Sequence, residues 1–195
     1  MKKYELVTEL SKEFFGKTLF RIRALVSFGS VEKGNLGGWI EGEDNLSHNG
    51  KAWVFGDAQV FGEAQVFGEA WVFGDAQVYG DARVFGDARV FGDARVFGDA
   101  QVFGDARVFG DAQVSGEARV FGDAHYITVG PIGSEGGTLT AFRQDDNSIM
   151  VHRGCFSGTI EEFADAVRKR HGETHYAAEY GVVIKLIETR LAEID

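Results

Sequence analysis

The chain is poor in the residues that build reactive centres. A single cysteine, Cys155, stands among 195 residues, which excludes an intramolecular disulfide and a cysteine cluster for zinc. With one proline and five histidines, a three-histidine metal site is disfavoured as well. No stretch approaches the roughly 18 uninterrupted apolar residues of a membrane helix, and the opening Met1-Lys-Lys-Tyr-Glu-Leu lacks the apolar run of a secretion signal. The expectation is a cytoplasmic protein without membrane contact, metal or cofactor. Basic charge is scarce too: 20 Lys and Arg against 30 Asp and Glu leave a net charge of −10. The excess is concentrated between residues 50 and 124, with 12 acids and 6 bases. Such a surface repels a phosphate backbone, so DNA and RNA are not expected partners.

What is abundant is glycine, alanine, valine and phenylalanine, set in register. From Gly50 to Ala124 one six-residue unit, Gly-Asp/Glu-Ala-x-Val-Phe, repeats with Gly at every sixth position, Ala two places later and Val in all twelve slots from 54 to 120. A fixed period dictates architecture before local propensity does. In Ala-x-Val-Phe the side chains alternate, so the small apolar Ala and Val point one way and x and Phe the other. Gly-Asp supplies the corner, since Gly takes positive φ freely and Asp tolerates it. Three edges close a coil of about eighteen residues, stacked at roughly 4.8 Å on the next. This pattern resembles the left-handed parallel β-helix of the hexapeptide-repeat superfamily, best known from trimeric acyltransferases. The resemblance implies a mainly β fold of about four to five coils. Continued upstream, the register places Ile40 and Leu46 in the Ala slot and turns His48 inward.

Residues 1–38 read as a capping hairpin: Tyr4–Thr8 and Thr18–Leu25 alternate at period two around a turn near Gly16, leaving the helix to residues 39–124. Residues 125–195 read as a small α+β module. Tyr126–Val129, Thr138–Phe142 and Ser148–His152 form three short strands; a helix opens on the capping-box pattern Thr159-Ile-Glu-Glu and ends at His171-Gly172. A second helix begins near Thr174 with the stripe Tyr176, Tyr180, Val183, Ile184, Ile187, Leu191 and Ile194, either core or a dimer seam.

Two surfaces are candidates for recognition. The outward slots gather Trp53, Phe55, Trp71, Phe73, Phe91 and Phe109 on one face of the prism. Exposed aromatic ladders exceed what a monomer normally shows, so this face is the expected interface of a homo-oligomer, a trimer or hexamer. The second candidate is the tail. The run Gly154-Cys-Phe-Ser-Gly-Thr-Ile-Glu-Glu-Phe163, then His171-Gly172, Tyr180 and Arg190, resembles the end of the phage Thoeris anti-defence sponges. Those are small proteins of an antiparallel sheet and two helices that sequester cyclic ADP-ribose signals and, in some members, cyclic oligonucleotides. The resemblance implies a nucleotide ligand, with Phe163 stacked on an adenine, Arg190 on phosphate, and Glu173 where the family pattern has Asn. Arg143 and Arg153 are further guanidinium donors for phosphate.

Each of these residues has a plainer reading. Phe163 also falls on the apolar stripe Ile160, Phe163, Ala164 and Val167, and Arg190 sits on a last helical turn where the dipole alone favours a cation. Cys155 reads as a small buried hydrophobe. No histidine interrupts residues 50–124, and His48 and His125 lie at opposite ends of the prism, so no catalytic residue is assigned. The sequence thus favours a non-enzymatic sequestering protein, with an acyltransferase and a structural or protein-inhibiting assembly module as the alternatives.

Overall fold

The computed structural model describes residues 2–122 and 124–192, so Ile194 of the expected stripe lies outside the described residues. It is a mainly β molecule: a parallel solenoid of about 5 turns, led by a strand hairpin and followed by a sheet and two helices. Strands β1 (Tyr4–Phe14), β2 (Lys17–Ala24) and β3 (Leu36–Ile40) come first, then twelve two-residue strands, β4 (Trp53–Val54) through β15 (Arg119–Val120). Three parallel sheets form the sides of the prism, with β4, β7, β10 and β13 on one, β6, β9, β12 and β15 on the second, and β3, β5, β8, β11 and β14 on the third. Every repeat Ala from 52 to 118 and every Val from 54 to 120 is fully buried in one continuous core.

The corner is built as the sequence implies, with one refinement. The repeat glycines from Gly50 to Gly116 all hold positive φ, between +59° and +73°. Only Phe15 and Asn147 among the described non-glycines do, so the corner acid keeps negative φ and Gly alone carries the special geometry. That is the pattern of a type II′ turn with Gly at its first central position, closed by bonds such as Ala58 N–H donating to Phe55 O at 3.2 Å and Ala106 N–H donating to Phe103 O at 3.3 Å. Along each side, coils are tied by bonds such as Trp71 N to Ala88 O at 2.9 Å and Phe73 N to Val90 O at 3.0 Å.

The first coil departs from the extrapolated register. Ile40 pairs with Val60 and Leu46 bridges to Val66, an offset of twenty rather than eighteen residues, while Val54 pairs with Val72 at eighteen. Ile40 and Leu46 therefore occupy Val slots, and two extra residues are taken up in the corner between Leu46 and Val54. His48 lands in that corner instead of the lumen. Its ring stacks on Tyr4 at 4.3 Å, and Nδ1 accepts the Lys3 N–H at 3.2 Å.

The hairpin does more than plug an end. Strand β2 pairs antiparallel with β3, so the hairpin extends one side of the prism as its two outermost strands. Meanwhile Tyr4, Ile22, Ala24 and Val31 close the lumen, and the Tyr4 hydroxyl donates to Leu46 O at 2.7 Å.

At the other end, β16 (Tyr126–Ile132), β17 (Gly137–Arg143), β18 (Ile149–Arg153) and β19 (Phe156–Thr159) form an antiparallel meander of four strands, one more than expected. The extra strand follows a two-residue turn at Gly154–Cys155, with Gly154 at φ +59°. Helices α1 (Ile160–His171) and α2 (His175–Arg190) complete the chain; Thr159 and Glu162 make the anticipated capping box, and Gly172 ends α1 at φ +56°.

Alternation makes this sheet two-sided. Tyr126, Phe142 and Met150 pack into the end of the solenoid core, whereas Leu139, Ala141 and Val151 join Ile160, Phe163, Val167, Tyr180, Val183, Ile187 and Leu191 in a second core under the helices. The α2 stripe is therefore core and not a dimer seam.

Candidate functional site

The junction between solenoid and sheet explains a substitution in the repeat. Position 115 is a Phe slot, following Phe61, Tyr79 and Phe97 up one side, yet it holds Ser. Into the vacated space comes His152, buried at 7% exposure, with Nε2 2.7 Å from Ser115 Oγ and its ring 6.3 Å from Phe97 and 5.4 Å from Phe142. Burial holds the His152 imidazole below its ordinary pKa, so it stays neutral. A broken repeat slot was the sequence signal for this docking point.

The aromatic ladders are stacked within the molecule. Phe67, Phe85 and Phe103 lie 4.8 and 4.9 Å apart and within 3° of parallel, and Phe73 lies 4.7 Å from Phe91. Each ring thus covers the next, and of the repeat phenylalanines only Phe109 and Phe121, near the last coil, are exposed, at 46% and 51%. Trp53, expected on the outward face with Phe55, Trp71, Phe73, Phe91 and Phe109, is buried to 1% beneath Tyr4 and Phe28. The Trp71 ring packs on Phe55 at 5.3 Å and carries Arg89 over it.

On the outer layer of the tail, between the strand turns and the helices, lies a half-open cleft of about 310 Å³. Its floor is aromatic: Phe156 and Phe163 at 5.2 Å, and Tyr180 edge-on to Phe163 at 5.5 Å. Arg153 from the end of β18 and Arg170 and His171 from the last turn of α1 supply cationic or protonatable groups at its walls, with Glu135 opposite. Arg153 Nη2 donates to Ile132 O at 2.7 Å, and Nη1 lies over Gly137, where a Cβ would come within 2.6 Å of it. The Arg153 Nε is buried and finds no acceptor among the described residues. Arg170 pairs with Glu135 at 2.6 Å on an exposed surface, a contact worth about 0–1 kcal/mol and readily exchanged for a ligand anion.

The five residues expected at one ligand do not converge. Phe163 and Arg153 line the cleft, although Phe163 is only 3% exposed and belongs chiefly to the core. Arg143 reaches the other way, donating to Leu191 O and to Asn147 Oδ1. Arg190 lies beside Phe109, Tyr126, Ile127 and Thr128, and Glu173 stands exposed between the helices. Sequence reasoning missed Phe156, Arg170 and Tyr180's place as a wall; the i, i+3 and i, i+4 spacing of Phe163, Val167, Arg170 and His171 on α1 was the available signal. Cys155, expected to be buried, is exposed on the β18–β19 turn at the cleft rim.

Elsewhere, His48 Nε2 lies 3.4 Å from Glu43 Oε2. Because Nδ1 is occupied by the Lys3 amide, Nε2 carries the proton toward the carboxylate, a positioning arrangement without a free base. Among the described residues no group of three or more His, Cys, Asp or Glu is placed to hold a metal ion, and no helix is long and apolar enough to cross a membrane.

A search of curated proteins finds no match to the chain. The family model described as the YdcK beta solenoid repeat matches residues 76–90, 88–102 and 100–116, so the chain's similarity to that family lies in its coils.

Proposed function

We propose that the protein is a non-enzymatic binding protein whose C-terminal cleft sequesters a small anionic ligand with a flat ring system, a nucleotide in the first instance. The cyclic ADP-ribose and cyclic oligonucleotide signals implied by the resemblance of residues 154–163 to phage anti-defence sponges are the leading candidates. The single observation that carries the reading is the cleft lining itself, in which the Arg153 guanidinium, tied by Nη2 to Ile132 O, stands with three aromatic rings. Arg170 adds a second cation, so two arginines face one carboxylate in a chain that is otherwise strongly acidic. Aromatic surface for a base and fixed guanidinium for phosphate are the two parts a nucleotide needs.

The test is calorimetric titration with AMP, cyclic ADP-ribose isomers and cyclic dinucleotides, followed by heating the complex and analysing what is released. Binding of one class, return of the ligand unchanged, and loss of binding in Arg153→Ala support sequestration. A converted product would make the cleft an active site, and the absence of binding across the panel would remove the nucleotide reading.

A further inference from the structure

Glu135 stands in the wall of the cleft, and the local fold holds it there. It is the third residue of the tight turn joining β16 to β17, Gly133-Ser134-Glu135-Gly136, which is closed by Gly136 N–H donating to Gly133 O at 3.1 Å. The turn is tied to α2 at its first residue: Gly133 N–H donates to Glu179 Oε2 at 3.0 Å, and the Tyr180 hydroxyl fills the space that a Cβ on Gly133 would take. From this position Glu135 Oε1 lies 2.6 Å from Arg170 Nη2, and both residues line the cleft with Arg153.

Both side chains of the pair are exposed, so it contributes little to stability. Its effect on an anion in the cleft is the larger one. Glu135 holds a negative charge against the guanidinium that a ligand phosphate would use, and its repulsion of a bound anion scales with the anion's own charge. A phosphodiester carries one negative charge, whereas a terminal phosphate carries about 1.5 to 2 at neutral pH. Neutralising Glu135 therefore multiplies the affinity of a diester by some factor and that of a monoester by nearly the square of the same factor.

Resting on the nucleotide reading of the cleft, we propose that Glu135 is its specificity-determining residue, an internal competitor for Arg170 that disfavours terminal phosphate groups and biases the cleft toward singly charged phosphodiester ligands.

Cyclic AMP and AMP share a base and a ribose and differ by about one charge, so they are the probes for calorimetric titration at pH 7.5 and low salt. Glu135→Gln keeps the size of the side chain and removes its charge. It is expected to tighten cyclic AMP about two- to fivefold and AMP about three- to twentyfold, and the difference is expected to shrink at about 1 M salt, where the screening length is about 3 Å. Asp93→Asn makes the same charge change at an exposed corner of the solenoid and is expected to leave both affinities as they are. Arg170→Ala is expected to weaken both probes. Circular dichroism on each variant separates lost binding from lost folding. Binding of neither probe to the wild type would remove the nucleotide reading and this inference with it. Binding that Glu135→Gln leaves unchanged, an equal gain for the two probes, or the same gain in Asp93→Asn would overturn the role of Glu135 while the nucleotide reading stands.

Discussion

Alanine at Gly74 and alanine at Gly110 should separate two costs that a corner glycine normally hides in one number. Both glycines hold left-handed φ, +73° and +65°, so an alanine at either brings the same conformational strain. That strain is about 1–2 kcal/mol, reduced by about 0.4–1 kcal/mol because alanine narrows the unfolded ensemble. The sites differ in space. A Cβ on Gly74 would stand 3.0 Å from Gly92 N and 3.1 Å from Gly92 O, backbone atoms that cannot swing aside, while one on Gly110 meets nothing within 4 Å. Prising the coils apart at Gly74 adds an overpacking cost of about 1–3 kcal/mol. Gly110→Ala is therefore expected to lose about 0.5–1.5 kcal/mol and Gly74→Ala about 2–4 kcal/mol. At about 2–4 °C per kcal/mol for a chain of this length, thermal melts followed by circular dichroism at one scan rate resolve the two. Equal losses, or the larger loss at Gly110, would refute the claim that contact between stacked corners, over and above φ, demands the glycine ladder.

Ser115→Phe would restore the repeat but destroy the socket for His152, and is expected to lower the melting temperature by several degrees, with an overpacking cost of about 1–3 kcal/mol; an increase would show that the Ser115 to His152 contact holds nothing. The same contact predicts a pH dependence. Burial lowers the His152 pKa in the folded protein below the ordinary 6.5, so as pH falls through about 6.5 the unfolded chain takes up a proton that the folded chain refuses. Stability contributed at this site is complete above that pH and declines below it. The melting temperature should change little between pH 8 and 6.5 and fall between pH 6.5 and 5.5, and the pair Ser115→Ala with His152→Phe should flatten that lower part of the slope. Finally, deleting Arg83 to Ala100, eighteen residues and one full coil, should leave every remaining edge on its own face; a far-UV spectrum of an unfolded chain would contradict the additive, nearest-neighbour stability of stacked repeats.

The prism was legible because its period is strict: when Ala and Val recur at one spacing through twelve slots, alternation alone decides which side chains fill the lumen, and all of them do. Extrapolation failed where the period had already loosened. Ile40 and Leu46 look like Ala-slot residues by counting back from Ala52, but a corner can absorb two extra residues at little cost, and the pairing with Val60 and Val66 is set by the hairpin's grip on β3. Trp53 was misjudged for a related reason. Its slot is outward in every later coil, where x is partly or fully exposed, yet in the first coil Tyr4 and Phe28 fold over it, and no periodic rule contains the chain that precedes the repeat.

The cleft posed a harder problem, since its parts come from the β16–β17 turn, the β18–β19 turn and both helices, and only the fold brings them together. Phe163 and Tyr180 could be named from motifs and Arg153 as an available guanidinium, but Arg143 and Arg190 carry the same chemistry and lie elsewhere. Arg143 and Arg153 share the helix face at opposite ends of the strands, since Arg143 pairs with Ile149 and Leu139 with Arg153, and only the Arg153 end opens on the cleft; the face itself follows from the two-sidedness of the terminal sheet. Thr140, Phe142 and His152 are committed to the last coil, with Thr140 Oγ1 accepting the Gln113 N–H at 3.1 Å and His152 at Ser115. The neighbouring positions must therefore turn toward the helices, and Arg153, one residue past His152, is carried to the helix side at the open end of the strand. Docking on the solenoid thus fixes the face on which the cleft forms. A slip of one residue in β18 would bring His152 under the helices and Arg153 against the coil, removing the socket at Ser115 and the cation of the cleft together.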